Sequence, residues 1–492
     1  MKAEYGVAER CALALFLALL VWAPFPLGSN RAWAWTILES GLFLAAALWV
    51  IGWMQRRHGS LAVVRAAWPA FMLLGAWLAY LALHWTPLPA ELVRVLSPQA
   101  AAVHALAAPY GASHDTGTWI TLSLDPNASF VFWLKSCAWA IAFFLTLALA
   151  HTRERARLIA LVLVLSGLAQ AVYGGLMHLS GTNLELFGTK IPHASQASGG
   201  FVNRNHLAGF LEITLALGIG LMVGSLRETG RRSWRQFWRD MAALLLSPRA
   251  PLRLFLVAMV ITLVMTRSRM GNTAFFSGLL IAGAVSLALS RHATRSTVIL
   301  IASLIAIDIF IVGSWFGVEK TMQRIEQTTV GDVEEREDPT MYALEIARDY
   351  TLFGAGPGTF HTAFTRYRGS DIQPFFDQAH NDYTQFFVET GALGAALIGT
   401  LPLMALVLAV LTLSRRRDPL ARGFAFAVVM GVSAIAIHST VDFNLQIPAN
   451  AFAFMVLLAY GWIAFHLGKS GSEPDIPHIR ISGSDPDFHG SD

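Results

Sequence analysis

"HNDYTQFFVETGALGAALIGTLPLMALVLAVLTL", His380 to Leu413, sets an imidazole, an amide and a carboxylate side by side and then turns apolar, with Glu389 its only further charge. A run of this length is enough to cross a hydrocarbon core of about 30 Å as a helix. Comparable runs recur throughout the chain. We expect spans near 9–25, 33–54, 66–85, 129–150, 157–179, 205–225, 252–266, 271–290, 296–317, 384–413, 421–441 and 447–467.

The composition agrees. Over 492 residues, 55% are hydrophobic and 14% charged, and the mean hydropathy is +0.51. That balance excludes a soluble multidomain protein. The expected fold is therefore all-α: a polytopic membrane protein of about twelve transmembrane helices. It occupies residues 1–468 as one membrane domain, and a Gly-, Ser-, Pro- and Asp-rich tail over 469–492 is expected to be disordered. Lys2 and Arg10 precede the first run, but no small-x-small cleavage site follows before Pro24, so it reads as a retained helix. Cys11 and Cys137 both fall inside expected spans and make no disulfide framework.

Basic residues cluster on alternate connections: Lys2 and Arg10, Arg56 to Arg65, Arg153 to Arg157, Arg227 to Arg253, Arg291 and Arg295, and Arg415 to Arg422. With twelve spans all six lie on one side, which places both termini in the cytoplasm. The stretch from Leu226 to Arg253 interleaves Arg and Trp, as a helix resting on anionic membrane lipids does. On the opposite face, two long segments at about 86–128 and 318–383 exceed the ordinary length of a connection.

Arginines on that opposite face run against the orientation signal. Arg267 and Arg269 in "VMTRSRMGN" share one short turn, where a pair of guanidiniums points to anion binding more than to interfacial snorkelling. Arg204 in "GGFVNRNHLAGFLE" stands beside Asn203, Asn205 and His206, after a glycine pair that lets backbone approach a ligand. Asn203 or Asn205 also fits a helix cap, but a cation at a helix N-terminus gains nothing from the dipole. "GAGPG" (Gly354 to Gly358) lacks the strand and Lys-Ser/Thr context of a nucleotide loop and reads as a shaped turn. The acidic residues Asp332 to Asp338 read as a solvated loop, and no metal site is expected. Asp382 and Gln385 have the D-x-x-Q form of a capping box. His380 and Asn381 are left for chemistry, with the helix N-terminus favouring the neutral imidazole that a general base requires. "IHSTVDFNLQIPAN" brings His438, Asp442, Asn444 and Gln446 to the same face, while Lys135, Glu39, Glu212 and Asp308 lie within spans without partners legible in the sequence.

Four stretches in this order, "FVNRNHLAGFLE", "TRSRMGN", "LFGAGPGTFHTAFTRY" and "AHNDYTQFFVETGALG", resemble the O-antigen ligase and O-antigen polymerase superfamily of bacterial envelopes. The similarity covers about residues 200–450. It implies a GT-C-like bundle with a long periplasmic loop in the bacterial inner membrane. The implied enzyme is an inverting glycosyltransferase without cofactor or metal, whose donor is an undecaprenyl diphosphate-linked glycan. His380 matches the catalytic histidine; Arg267, Arg269 and Arg336 would grip the diphosphate, with Arg324 as the alternative to Arg336. Arg204, Asn205, His206, Asn381 and Asp382 would line the substrate pocket. The acceptor expected first is lipid A-core. A growing glycan (polymerase) or a protein hydroxyl uses the same donor and stays open, and no nucleic-acid partner is expected. A flippase for lipid-linked glycan is the competing class. It calls for charges at the bilayer midplane, whereas the polar residues here gather at one face.

Overall fold

The structure, a computed structural model, describes residues 6–55, 61–107, 119–181, 196–225, 250–289, 342–369 and 376–470. The expected span 296–317, the acidic loop residues, Asp308, Arg324, Arg336 and most of the tail lie outside them.

Among the described residues the chain is a helical bundle. Its long helices are α1 (Val7–Trp22), α2 (Ala32–Met54), α3 (Trp68–Trp85), α4 (Pro126–Leu149), α5 (Arg153–Ser180), α6 (Arg204–Val223), α7 (Ala250–Met265) and α8 (Arg269–Leu289). After the short α9 (Phe360–Tyr367) come α10 (Asp382–Arg415), α11 (Pro419–His438) and α12 (Pro448–Ser470). Nine of these are long and apolar enough to cross a membrane, while α1 and α7 have 16 residues each. All eleven coincide with expected spans. The only strand pairing described is a two-residue antiparallel ladder, Leu88 opposite Ile120 and Pro89 opposite Trp119. It ties together the two ends of the segment that joins α3 to α4.

Local chemistry sets where helices begin. Asp125, Thr152, Asn203, Asn381 and Asp418 each accept a hydrogen bond from a backbone N–H of the first turn, and Pro126 and Pro419 occupy first-turn positions that need no donor. In the middle of the bundle, α6, α11 and α12 are the most enclosed. Small residues allow this closeness: a Cβ on Gly220 would stand 2.5 Å from Gly423 O, and one on Gly278 2.7 Å from Met430 O.

The expected span 384–413 implies one continuous helix, and the structure corrects it. Gly391 has φ 62° and ψ −174°, a backbone state open in practice only to glycine, and it divides α10 into a short amino-terminal segment and the membrane span. At that break the carbonyls of Val388 and Glu389 are released from the helix and accept from Ala355 N (2.8 Å) and Gly356 N (3.0 Å). Ala392 N in turn donates to Thr351 O at 2.8 Å. The two chain segments cross backbone on backbone, since a Cβ on Gly391 would lie 2.4 Å from Leu352 C and one on Gly354 2.4 Å from Glu389 C. Val388 packs into a second core with Val93, Leu122, Tyr350, Phe360 and Phe364, where each fully buried apolar side chain contributes roughly 1.5–3 kcal/mol.

Candidate functional site

The helices headed by Arg204, Arg269 and Asp382 begin at one end of the bundle. His206 Nε2 lies 3.5 Å from Asp442 Oδ1, and Asp382 Oδ2 accepts from Ser439 Oγ at 2.7 Å. The amino ends of α6 and α10 thus meet at the α11–α12 turn. A Cβ on Gly271 would stand 2.6 Å from Ala208 Cβ, which sets the start of α8 beside that of α6.

His380 is exposed and has φ 51°, in the left-handed region that few residues other than glycine occupy. Its ring meets Phe443 edge to face at 4.9 Å and Phe376 at 6.2 Å. The cap assigned to Asp382 in the sequence belongs to its neighbour: Asn381 Oδ1 accepts from Thr384 N at 3.0 Å, and Asn381 Nδ2 donates to Thr440 O at 2.8 Å. Asp382 is buried, 2% exposed, and its Oδ2 also accepts from Leu445 N at 3.1 Å. Gln385, the other half of the supposed capping box, instead donates to Glu389 Oε1 and accepts from Ala379 N. The letters of a capping box were present, but tertiary partners claimed both side chains.

Arg267 and Arg269 are exposed, on the turn between α7 and α8. Arg267 has φ 53°; on either side of it, Thr266 Oγ1 accepts from Ser268 N and Ser268 Oγ from Gly271 N, each at 3.1 Å. The turn is held by hydroxyls. Arg204 and Asn205 are half-buried in the first turn of α6, with Asn203 as the cap. The preceding glycines approach protein rather than ligand: Gly200 N donates to Gln170 Oε1 at 2.7 Å, and a Cβ there would lie 2.6 Å from Pro24 O.

Behind His380 lies a buried polar cluster. His438 Nδ1 is 2.7 Å from Glu212 Oε1, which gives Glu212 the partner that sequence left unnamed. Asn450 Nδ2 donates to both His206 O and Asn444 Oδ1, each at 3.0 Å. Burial pushes the Asp442 carboxyl up, but the His206 and His438 imidazoles and the Phe443 N–H outweigh it and hold the group well below the usual carboxylate range. Even so, His206 Nε2, Glu212 Oε2, Asp382 Oδ1, Asp442 Oδ2, His438 Nε2, Asn444 Nδ2 and Asn450 Oδ1 are buried without a hydrogen-bond partner. Groups of this kind are ordinarily satisfied by internal water. Among the described residues, no three His, Cys, Asp or Glu side chains are arranged to hold a metal ion.

Two residues of structural weight were given no role in the sequence. Glu389 points into the Gly-Pro turn, where its Oε2 accepts from Gly358 N (3.0 Å) and its Oε1 from Phe360 N (3.2 Å). The donors that would suggest a phosphate cradle are therefore occupied by the chain's own carboxylate. The signal was Glu389 standing two residues before a glycine. Phe443 is the second, an aromatic in the otherwise polar "DFN", with the His206 ring edge to face on it at 4.7 Å. Lys135, unpaired in the sequence, stacks over the Trp35 ring at 3.7 Å.

Residues 254–399 match the family model described as O-antigen ligase, in agreement with the superfamily that the motifs resemble. The matched stretch runs from α7 to the start of the α10 span and includes His380. No curated protein matches the chain. The match supports a membrane glycosyltransferase-like function in O-antigen assembly, and the nine helices among the described residues that are long and apolar enough to cross a membrane indicate a multi-pass membrane protein.

Proposed function

From that premise we propose that the chain transfers a glycan from undecaprenyl diphosphate to an acceptor hydroxyl on the periplasmic face of the inner membrane, with lipid A-core as the acceptor. The observation that carries the reading is the exposed His380 ring at the end of the bundle where α6 and α8 begin with arginine.

In this reaction the acceptor oxygen attacks the anomeric carbon as the bond to the diphosphate oxygen breaks, which inverts that centre. His380 takes the hydroxyl proton. The leaving group departs as undecaprenyl diphosphate and needs cations more than a general acid. Arg267, Arg269 and Arg336 supply them as bidentate partners of the phosphates, and Arg204, Asn205 and Asn381 face the sugars. His206 and Asp382 are buried and act from behind the pocket. The polyprenyl chain lies against the helices while the glycan emerges at their end.

The test uses purified full-length protein, a synthetic undecaprenyl diphosphate glycan, a chelator and a panel of acceptors. His380→Ala is expected to lose about 10²–10⁴-fold in rate, and Arg269→Ala to weaken use of the donor. Turnover that survives in His380→Ala removes the general-base role. Glycosylation of a second lipid-linked glycan, with lipid A-core left untouched, replaces ligation by polymerisation.

A further inference from the structure

His380 sits on a backbone that is tightly held. Asp382 N donates to Ser439 O (3.0 Å) and Asp442 O (3.1 Å), and Asn381 is bonded to Thr440. These bonds fix where the His380 Cα is. Among the described aromatic rings that its imidazole meets, Phe443 is nearer than Phe376, at 4.9 Å with planes 77° apart.

Phe443 is itself held from the other side. The His206 ring packs on it at 4.7 Å and 72°, so one phenyl ring lies between two imidazoles. His206 is only 4% exposed, which removes it from contact with a glycan, and its Nε2 faces Asp442 Oδ1. The same Asp442 Oδ1 accepts from the Phe443 N–H at 2.8 Å. One carboxylate oxygen thereby accepts from the backbone that carries the phenyl ring and lies 3.5 Å from the imidazole that packs on that ring, without a hydrogen bond between them. Asn444, the next residue, is seated by Asn450 and fills space that exists only because position 209 is glycine; a Cβ there would come 2.2 Å from Asn444 Oδ1.

We propose that Phe443, braced by the His206–Asp442 pair, is the positioning residue that orients the His380 imidazole for proton abstraction. The inference rests on His380 being the base. Aromatic pairs favour edge-to-face geometry, so the phenyl ring selects one plane for the imidazole. The lone pair that accepts the proton lies in the plane of the ring, so that plane sets the direction from which the acceptor hydroxyl must approach. Chemistry of this kind tolerates little misplacement: a shift on the order of 1 Å costs about 10²-fold. His206 therefore serves the reaction through Phe443 and not through substrate.

The experiment compares wild type with Phe443→Leu, Phe443→Tyr, His206→Ala, His206→Ala/Phe443→Leu and His380→Ala, each as full-length protein in detergent. Phe443→Leu is expected to lower kcat by roughly 10–10²-fold with donor KM unchanged, and Phe443→Tyr, which keeps the ring, to restore it. The double variant is expected to be no slower than Phe443→Leu, because both changes act through one ring. Independently of turnover, the imidazole resonance that disappears in His380→Ala is expected to move in Phe443→Leu and in His206→Ala. An unmoved resonance together with wild-type kcat in Phe443→Leu, beside an inactive His380→Ala, overturns the positioning role and leaves the base intact. Full turnover in His380→Ala overturns the base instead, and the resonance still reports the contact. Equal losses in Phe443→Leu and Phe443→Tyr, with the resonance unmoved in both, also overturn the inference.

Discussion

Asp382 and Glu389 belong to the same short segment of α10, both are buried, and they are used in opposite ways. Each Glu389 oxygen has a donor: Gly358 N on one, Phe360 N and Gln385 Nε2 on the other. Asp382 has one oxygen engaged by Ser439 and Leu445, and the other without a partner. Around Glu389 two backbones cross at glycines, and both of its own oxygens are engaged. Around Asp382, several buried oxygens and nitrogens keep hydrogen-bonding capacity that the protein does not fill. A buried carboxylate with all its donors is architecture, since removing it strands them. One with an open lone pair beside the His438 imidazole and the Asp442 carboxylate can take up water or protons. The difference separates the part of the segment that holds the fold from the part that serves His380.

The severest challenge to this contrast is Gly391→Ala. Its Cβ would enter the Leu352 backbone and its φ is unsuited to alanine, so the expected outcome is loss of folded protein, read as failure to recover a monodisperse species from membranes. Glu389→Gln comes next. The amide retains one acceptor and turns an N–H₂ toward groups that are themselves donors, for a loss of about 1–3 kcal/mol per stranded donor. Thermal unfolding in detergent measures it, and an unchanged Tm contradicts the architectural role. Asp382→Asn keeps size and one acceptor oxygen. We expect stability to change by less than it does in Glu389→Gln, with the larger effect on kcat; a Tm loss equal to that of Glu389→Gln abolishes the distinction between the two carboxylates.

The smallest expected effect is on acid stability. The Asp442 pKa is depressed in the folded protein, so the stabilisation from its charged form is present above the unfolded aspartate value, near 3.9. It is lost as pH falls below that toward the folded value. Asp442→Asn should remove this slope: Tm measured from pH 6 to pH 3 is expected to fall less steeply in the variant than in wild type.

The residues that revealed the fold and those that built the site differ in the range over which their reasons act. Apolar length identified the spans because a hydrocarbon solvent imposes the same requirement on every crossing helix, whatever its neighbours. His380 stood out because an imidazole before an apolar run has no structural excuse. The capping box misled for a complementary reason. Helix caps are local, but Asp382 and Gln385 found stronger partners at Ser439, Leu445 and Glu389. Asn381 took the cap in their place.

Periodicity and composition were sufficient for an all-α membrane bundle, for the end at which its unusual charges gather, and for the histidine most worth testing. These follow from solvent and from single-residue chemistry. The break at Gly391, the filling of the Gly-Pro turn by Glu389, the pairing of Glu212 with His438 and the bracketing of Phe443 by two imidazoles all join residues tens to hundreds of positions apart. Such pairings depend on which helix faces meet once the bundle closes, and nothing in a local stretch of chain specifies that.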